Sequence, residues 1–302
     1  MEKKFLENLL KLGRIPGGLL FYGKEGSGKT YTAFEFTKGV LCLKGEVWGC
    51  NECPSCKHIN NLKDKFFKGE TENLKVYEEK DGKKQFVYLM GEHPDFIIVI
   101  PHGNYIKIDQ IRKAKEFAYI RPALSGRKVI LIDDAHTMTN QSSNALLKVL
   151  EEPPADTTFI LTTSRKAAIL PTILSRTFQV EFKGFTKEEV MRIANVNEEI
   201  AELSGGSLKK ALLLKEKKNL IDKVKRFLEN EPYEVYKIAT EFENWETEEK
   251  RLFLDLLETF LMKEPSEETA PILDKIRLMK EGIPRGINGT LWLIEVSSLM
   301  IA

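Results

Sequence analysis

Eight residues near the start of the chain, Gly23-Lys24-Glu25-Gly26-Ser27-Gly28-Lys29-Thr30, restrict the possible folds more than any other stretch. Their three glycines let the backbone turn its N–H groups inward, and the run closes on Gly-Lys-Thr. This is the spacing of a phosphate-binding loop, which has that meaning only between a strand and a helix. Both flanks are present: an apolar run at residues 19–22 precedes it and a helical stretch follows. A helix N-terminus at that point offers free N–H groups and a favourable dipole to an anion. Gly23, Gly26, Ser27 and Gly28 would surround phosphate oxygens, Lys29 would reach the β- and γ-phosphates, and Thr30 would hold Mg²⁺. The plain alternative, a glycine-rich turn without a ligand, does not explain the strand and helix on either side.

The same run sets the fold class. Further short apolar runs rich in branched and aromatic residues occur at residues 96–100, 129–132, 159–162 and 178–182. Runs of this kind read as strands buried on both faces of a parallel sheet, and the segments between them are long enough for crossover helices. The expectation is an α/β domain with a parallel five-stranded sheet. Residues 74–80 and 83–90 flank Asp81-Gly82, a pair suited to a type I′ turn, and predict an inserted surface β-hairpin over about residues 74–90. After Gly184 the periodicity becomes helical: Thr186-Lys187-Glu188-Glu189 is a capping box, and Ser204-Gly205-Gly206-Ser207 predicts a turn. From about Leu220 the chain reads as helical to its end, broken at Glu231-Pro232, Glu264-Pro265 and Ile283-Pro284. A length of 302 residues implies two or three domains. The net charge of +1 provides no global basic field, so any contact with nucleic acid must be local or shared with other subunits. No apolar run approaches the ~20 residues of a membrane span. The start, Met1-Glu2-Lys3-Lys4, leads into an amphipathic helix and not an export signal, so a cytoplasmic location is expected.

Two further groups carry chemistry. Asp133 stands at the end of the run at residues 129–132, where a carboxylate would bind Mg²⁺ directly or through water; Asp134 follows it. All four cysteines, Cys42, Cys50, Cys53 and Cys56, lie in one short stretch with two successive C-x-x-C spacings. Four thiolates suit one tetrahedral zinc ion and leave no open position for water, so a structural ion is expected. A redox pair or unligated thiols are the alternatives, and His58 is a weaker candidate ligand.

Residues 139–154, Thr-Asn-Gln-Ser-Ser-Asn-Ala-Leu-Leu-Lys-Val-Leu-Glu-Glu-Pro-Pro, resemble the signature stretch of clamp-loader AAA+ subunits. Residues 170–177, Leu-Pro-Thr-Ile-Leu-Ser-Arg-Thr, resemble the Ser-Arg-Cys motif of the same family. The phosphate loop, the acidic strand end and the cysteine cluster fall in the family's order, and His93-Pro94-Asp95 is typical of its bacterial delta-prime branch. The resemblance covers about residues 10–215. It implies a P-loop domain at residues 1–183 with a zinc module at about 42–58, a small helical lid at 184–218, and an all-α collar at 219–302 that oligomerises. It implies that Arg176 is an arginine finger acting in trans on a neighbouring subunit, for which a planar, permanently charged guanidinium is suited. It places Thr162 or Thr163 at the sensor position, the latter taken as a nucleotide-contacting residue, and Lys209 where motor subunits carry Arg. Thr177, in place of the family's cysteine, is expected to pack and not to react. Asp134 stands where a hydrolysing subunit has Glu; its carboxylate is set back by about 1.5 Å, so nucleotide binding is better supported than hydrolysis, with Asp134 at most a weak water-activating residue. The implied cofactors are structural Zn²⁺ and ATP or ADP with Mg²⁺. The implied partners are gamma/tau motor and delta subunits in a hetero-pentameric ring, the sliding clamp and primer–template DNA, with Arg112, Lys113 and Lys115 as candidate phosphate contacts. The implied role is to help load the sliding clamp onto primed DNA within the DNA polymerase III holoenzyme. The alternatives are an ATP-hydrolysing gamma/tau-type motor subunit and an unrelated P-loop phosphotransferase.

Overall fold

Each apolar run of the first part of the chain forms a strand. The computed structural model describes residues 2–80, 82–263, 269–282 and 288–300. The chain divides into two compact units, Met1–Gly184 and Phe185–Ala302.

In the first unit, α1 (Glu2–Leu12) precedes β1 (Gly18–Gly23), which feeds α2 (Lys29–Val40); α3 (Pro54–Phe67) follows. β2 (Lys75–Lys80) and β3 (Lys83–Met90) form the hairpin, and then come β4 (Phe96–Val99), α4 (Ile108–Tyr119), β5 (Lys128–Ile132), α5 (Asn140–Glu151), β6 (Thr157–Thr163), α6 (Pro171–Leu174) and β7 (Phe178–Phe182). The strand order is β2-β3-β4-β5-β6-β1-β7. The five expected strands pair in parallel throughout. The expected surface hairpin belongs to this sheet instead of standing apart from it. β3 pairs antiparallel with β4, Leu89 opposite Ile98 and Met90 opposite Ile97, so the sheet has seven strands. The reason lies in β3 itself, whose Phe86, Val87 and Leu89 are buried while β2 keeps Tyr77 exposed. Gly82 has the positive φ of +71° that the turn needs, and Asp81 lies outside the described residues.

Side-chain alternation along the strands gives the sheet two apolar faces. Leu19, Phe21, Phe96, Ile98, Val129, Leu131 and Ile160 pack with Leu6 of α1, Phe34 of α2 and Ile59 of α3. Leu20, Ile97, Val99, Ile130, Ile132 and Leu161 pack with Ile111 of α4 and Leu146 of α5. The strands are parallel, so the segments after β1, β5 and β6 leave from one edge, which is where the phosphate loop, the acids and the paired threonines meet.

The second unit is helical: α7 (Lys187–Ala194), α8 (Glu198–Leu203), α9 (Leu208–Glu216), α10 (Asn219–Leu228), α11 (Pro232–Glu243), α12 (Thr247–Leu261), α13 (Thr269–Gly282) and α14 (Gly289–Leu299). The capping box opens α7, with Thr186 Oγ1 accepting from the Glu189 N–H and the Glu189 carboxylate accepting from the Thr186 N–H. The glycine turn separates α8 from α9, and Pro232 starts α11 in its first position. One break was not expected: residues 244–246 end α11 and α12 begins afresh. The expected breaks at Glu264-Pro265 and Ile283-Pro284 lie outside the described residues. Residues from Val190 to Val296 form a single apolar core in this unit.

Candidate phosphate loop and metal centre

The phosphate loop owes its path to two glycines. A Cβ on Gly23 would lie 1.9 Å from the Phe182 carbonyl oxygen of β7, so only glycine lets β1 and β7 approach there. Gly28 caps α2 at φ +85°, a left-handed conformation that side chains resist. Lys29, the first residue of α2, is buried, and its Nζ donates to the carbonyls of Gly23 at 2.9 Å and Lys24 at 2.6 Å. Burial holds the ammonium below its usual range, against the charges of Asp134 and Asp133. Thr30 Oγ1 donates to Asp133 Oδ1 at 2.7 Å, which joins the loop to the acidic end of β5. The residues the motif names thus converge, and their donors and acceptors fit a magnesium–phosphate group: a half-buried carboxylate, a hydroxyl, an ammonium and a helix N-terminus.

Asp133 accepts a second bond, from Thr162 Oγ1 at 2.6 Å. The same Thr162 oxygen accepts the Asp134 N–H at 3.1 Å. Of the two adjacent threonines, Thr162 therefore ties both acids together. Thr163 Oγ1 accepts the Arg165 N–H at 3.1 Å and lies 3.3 Å from His136 Nδ1. Burial raises the pKa of Asp133, as does the charge of Asp134, while the hydroxyls of Thr162 and Thr30 act in the opposite direction. Asp134 adopts the left-handed conformation, φ +52°, and its Oδ1 lies 3.9 Å from His136 Nδ1.

Arg176 follows α6 and is held on three sides. Its Nη1 donates to the Thr172 carbonyl at 3.0 Å and to Ser175 Oγ at 3.3 Å, and its Nη2 meets Glu151 Oε1 at 3.0 Å. Glu151 was not singled out from the sequence, although it lies inside the signature stretch at residues 139–154. The Thr177 side chain is buried and bonds the Ile173 carbonyl, so it packs as expected. Lys209, on α9 of the second unit, pairs with Glu248 at 2.7 Å. Of the basic residues on α4, Arg112 pairs with Asp109, Lys113 is held between Glu78 and Glu116 at 2.6 Å each, and Lys115 lies over the Tyr119 ring. Lys113 is thus neutralised twice within the chain.

The four cysteines converge as the spacing predicts. Their sulfurs all lie within 4.8 Å of one another, and none is in a disulfide. A tetrahedral zinc site with bonds of about 2.3 Å would set its sulfurs about 3.8 Å apart, so the cluster is close to ligating dimensions. Cys42 follows α2; Cys53 caps α3, with Pro54 next to it. The Cys53 N–H donates to Cys50 Sγ at 3.2 Å and is the main cause that lowers the Cys50 thiol to about 6. Burial pushes the Cys56 thiol up to about 12. A divalent cation would supply the charge that lets such a buried thiol deprotonate. His58 lies outside the cluster, with Nε2 3.6 Å from Glu92.

The family model described as DNA polymerase III, delta subunit, matches residues 2–86 and 83–186. The chain is 32% identical to the DNA polymerase III subunit delta' of Bacillus subtilis over 180 residues, which covers 60% of this chain and 46% of that protein. It is 26% identical to the DNA polymerase III subunit gamma/tau of Mycoplasma genitalium, over 99% of this chain and 45% of that protein. The delta' subunit of Pseudomonas aeruginosa matches at 30% over 62% of this chain and 52% of its own length. The chain spans about half the length of these curated relatives. A solved DNA polymerase III gamma subunit-related protein from Thermotoga maritima shares the fold, with a TM-score of 0.55 and 19% identity over 98% of both chains.

Proposed function

The chain belongs to the DNA polymerase III delta-subunit family, among the clamp-loader AAA+ subunits its motifs resemble, and from that premise we propose that it is a delta-prime-type subunit. In this reading it joins gamma/tau and delta subunits in a hetero-pentameric ring in the cytoplasm and helps to load the sliding clamp onto primer–template DNA. Residues 184–218 act as its lid and residues 219–302 as the oligomerising collar. Arg176 is its main contribution to chemistry. The guanidinium leaves Glu151 and meets the phosphates bound by a neighbouring subunit, where it stabilises developing charge. The observation that carries the delta-prime reading is Asp134, one methylene shorter than the glutamate of a hydrolysing subunit and bonded through its N–H to Thr162.

The chain's own nucleotide site binds ATP or ADP with Mg²⁺. Lys29 turns from the Gly23 and Lys24 carbonyls to phosphate oxygens, and Thr30 and Asp133 hold the metal that neutralises phosphate charge. Ser27 and the glycines frame the phosphates, and Thr163 lies at the end of β6. Cys42, Cys50, Cys53 and Cys56 hold a structural zinc ion. The intact phosphate loop also favours a second reading, a motor subunit of the gamma/tau type.

ATP turnover separates the two. The isolated chain is expected to turn over ATP negligibly. In a mixture with partner subunits, clamp and primed DNA, Arg176→Ala is expected to lower the stimulated rate several-fold, because one pocket loses a group worth roughly 10³ in rate at that site. Robust turnover by the isolated chain would support the motor reading. An unchanged rate for Arg176→Ala in the mixture would remove the trans role.

A further inference from the structure

The last turn of α2 carries a charge that the phosphate loop does not use. The side chain of Lys38 is only 5% exposed. Its Nζ donates to Glu35 Oε2 at 2.8 Å, Asn51 Oδ1 at 2.8 Å and Asn60 Oδ1 at 3.3 Å, so its three protons have three acceptors. The acceptors come from three segments. Glu35 lies on α2, Asn60 on α3, and Asn51 directly follows Cys50 in the loop that carries two of the thiols. Asn60 Nδ2 also donates to Asn51 Oδ1 at 3.1 Å, and Glu35 takes a further bond from Lys63 of α3 at 2.7 Å. Asn51 is left-handed, φ +59°, so its side chain bonds at a tight bend. The stem of Lys38 lies against the same loop: a Cβ on Gly49 would stand 2.5 Å from Lys38 Cγ and 3.1 Å from Cys56 Sγ.

An ammonium taken out of water needs full compensation, and an apolar side chain of the same shape would often serve a plain core better. Here the ammonium is instead directed to the one side chain between Cys50 and Cys53 that bends the loop. We propose that Lys38 is a positioning residue of the four-cysteine metal centre. Through Asn51 it holds the Cys50–Cys53 loop in ligating geometry. The inference rests on the reading that the four cysteines hold zinc.

Competition with a chromogenic chelator on the full chain tests it. Lys38→Met is expected to weaken zinc binding about 10- to 100-fold, the range for residues that support metal ligands. Asn51→Gly, which keeps the backbone bend and deletes the acceptor, should weaken it to a similar degree. The double variant should be no weaker than the weaker single one, since both act through one bond. Lys63→Met, which removes the other bond to Glu35 without reaching the loop, should stay within about 2-fold of the wild type. Substitution of Co²⁺ supplies a second readout: the tetrahedral d–d bands should broaden and shift in Lys38→Met and Asn51→Gly, and not in Lys63→Met. The proposal is overturned if Asn51→Gly and folded Lys38→Met keep wild-type affinity, or if Lys63→Met weakens zinc binding equally. Should Lys38→Met not fold, Asn51→Gly alone decides by the same criterion. A wild-type chain that holds no zinc overturns the zinc reading and the proposal with it. One zinc per wild-type chain with unchanged variants overturns the proposal alone.

Discussion

His93 is a polar side chain with no exposure at all, and its hydrogen bonds decide its charge. Nδ1 accepts the Asp95 N–H at 3.1 Å, so the proton of a neutral ring sits on Nε2, which faces Ser55 Oγ at 2.8 Å and Ser125 Oγ at 3.1 Å. Ser55 spends its own proton on the Leu41 carbonyl at 2.6 Å and is left to accept from His93. Burial lowers the His93 pKa to about 4, assisted by His58 and Lys128 and opposed by Asp95. The folded value is below the unfolded one, so this contribution is complete above about pH 6.5 and is lost as pH falls towards 4. Urea unfolding at pH 7.5 and pH 5 should show the wild type losing about 2 kcal/mol more than His93→Gln over that interval. Equal losses would mean that the buried ring is not held neutral. The sequence contains His93-Pro94-Asp95 as a family mark, but its buried network was not legible, because Ser55 and Ser125 belong to distant segments. Lys29 and Thr30 were legible because a phosphate loop fixes their mutual positions through the backbone, and Asp133 because it ends an apolar run that reads as a strand. Of the two adjacent threonines the sequence reading favours Thr163, whereas the pleat of β6 turns Thr162 towards Asp133. Glu151 beside Arg176 and Asn51 beside Lys38 are pairings of chain folding, with no motif to announce them.

Among the elements, the hairpin shows how far periodicity reaches. Asp81-Gly82 and its flanks identified two antiparallel strands, but not which strand of the sheet they would join, since pairing depends on partners remote in sequence. Burial decides it: β3 has Leu89 enclosed against β4, whereas Tyr77 of β2 is 48% exposed. Leu89→Ala should therefore cost about 2–4 kcal/mol in urea unfolding, as in a core strand, while Tyr77→Ala should stay within about 1 kcal/mol. Comparable small effects at both sites would restore the picture of a loosely attached surface insertion. The missed break at residues 244–246 has a different cause. It contains no Pro or Gly, and α12 starts there with Glu248 and Glu249 in its first turn, a weaker signal than the prolines used to divide the helical region. α2 does two jobs along one length: its first turn carries Lys29 and Thr30, and its last turn carries Lys38 beside the cysteines.

At the scale of the whole chain, the two units have separate cores. The apolar clusters of the sheet draw on described residues up to Phe182, and the helical cluster on described residues from Phe185 onward. No helix among the described residues is long and apolar enough to cross a membrane. The cysteine cluster belongs to the first unit, where Ile59 and Leu62 of α3 anchor its helix in the core that also contains Phe34 of α2. Metal binding is folding free energy for the residues it holds, and the second unit contributes no ligand. Chelation should therefore act on one unit. Scanning calorimetry with and without a chelator, combined with hydrogen exchange on peptides from each unit, should show protection of the β1–β5 region lost at a temperature lower by on the order of 10 °C, given about 2–4 °C per kcal/mol for a domain of this size. Peptides from α10, α11 and α12 should shift by no more than about 2 °C, the scale of a fraction of a kcal/mol. Lys38→Met should reproduce part of the first shift without chelator, since a weaker site holds less metal at a given free concentration. A loss of protection shared by both units on chelation would contradict this, because it would require the metal to support a core that contains none of its ligands.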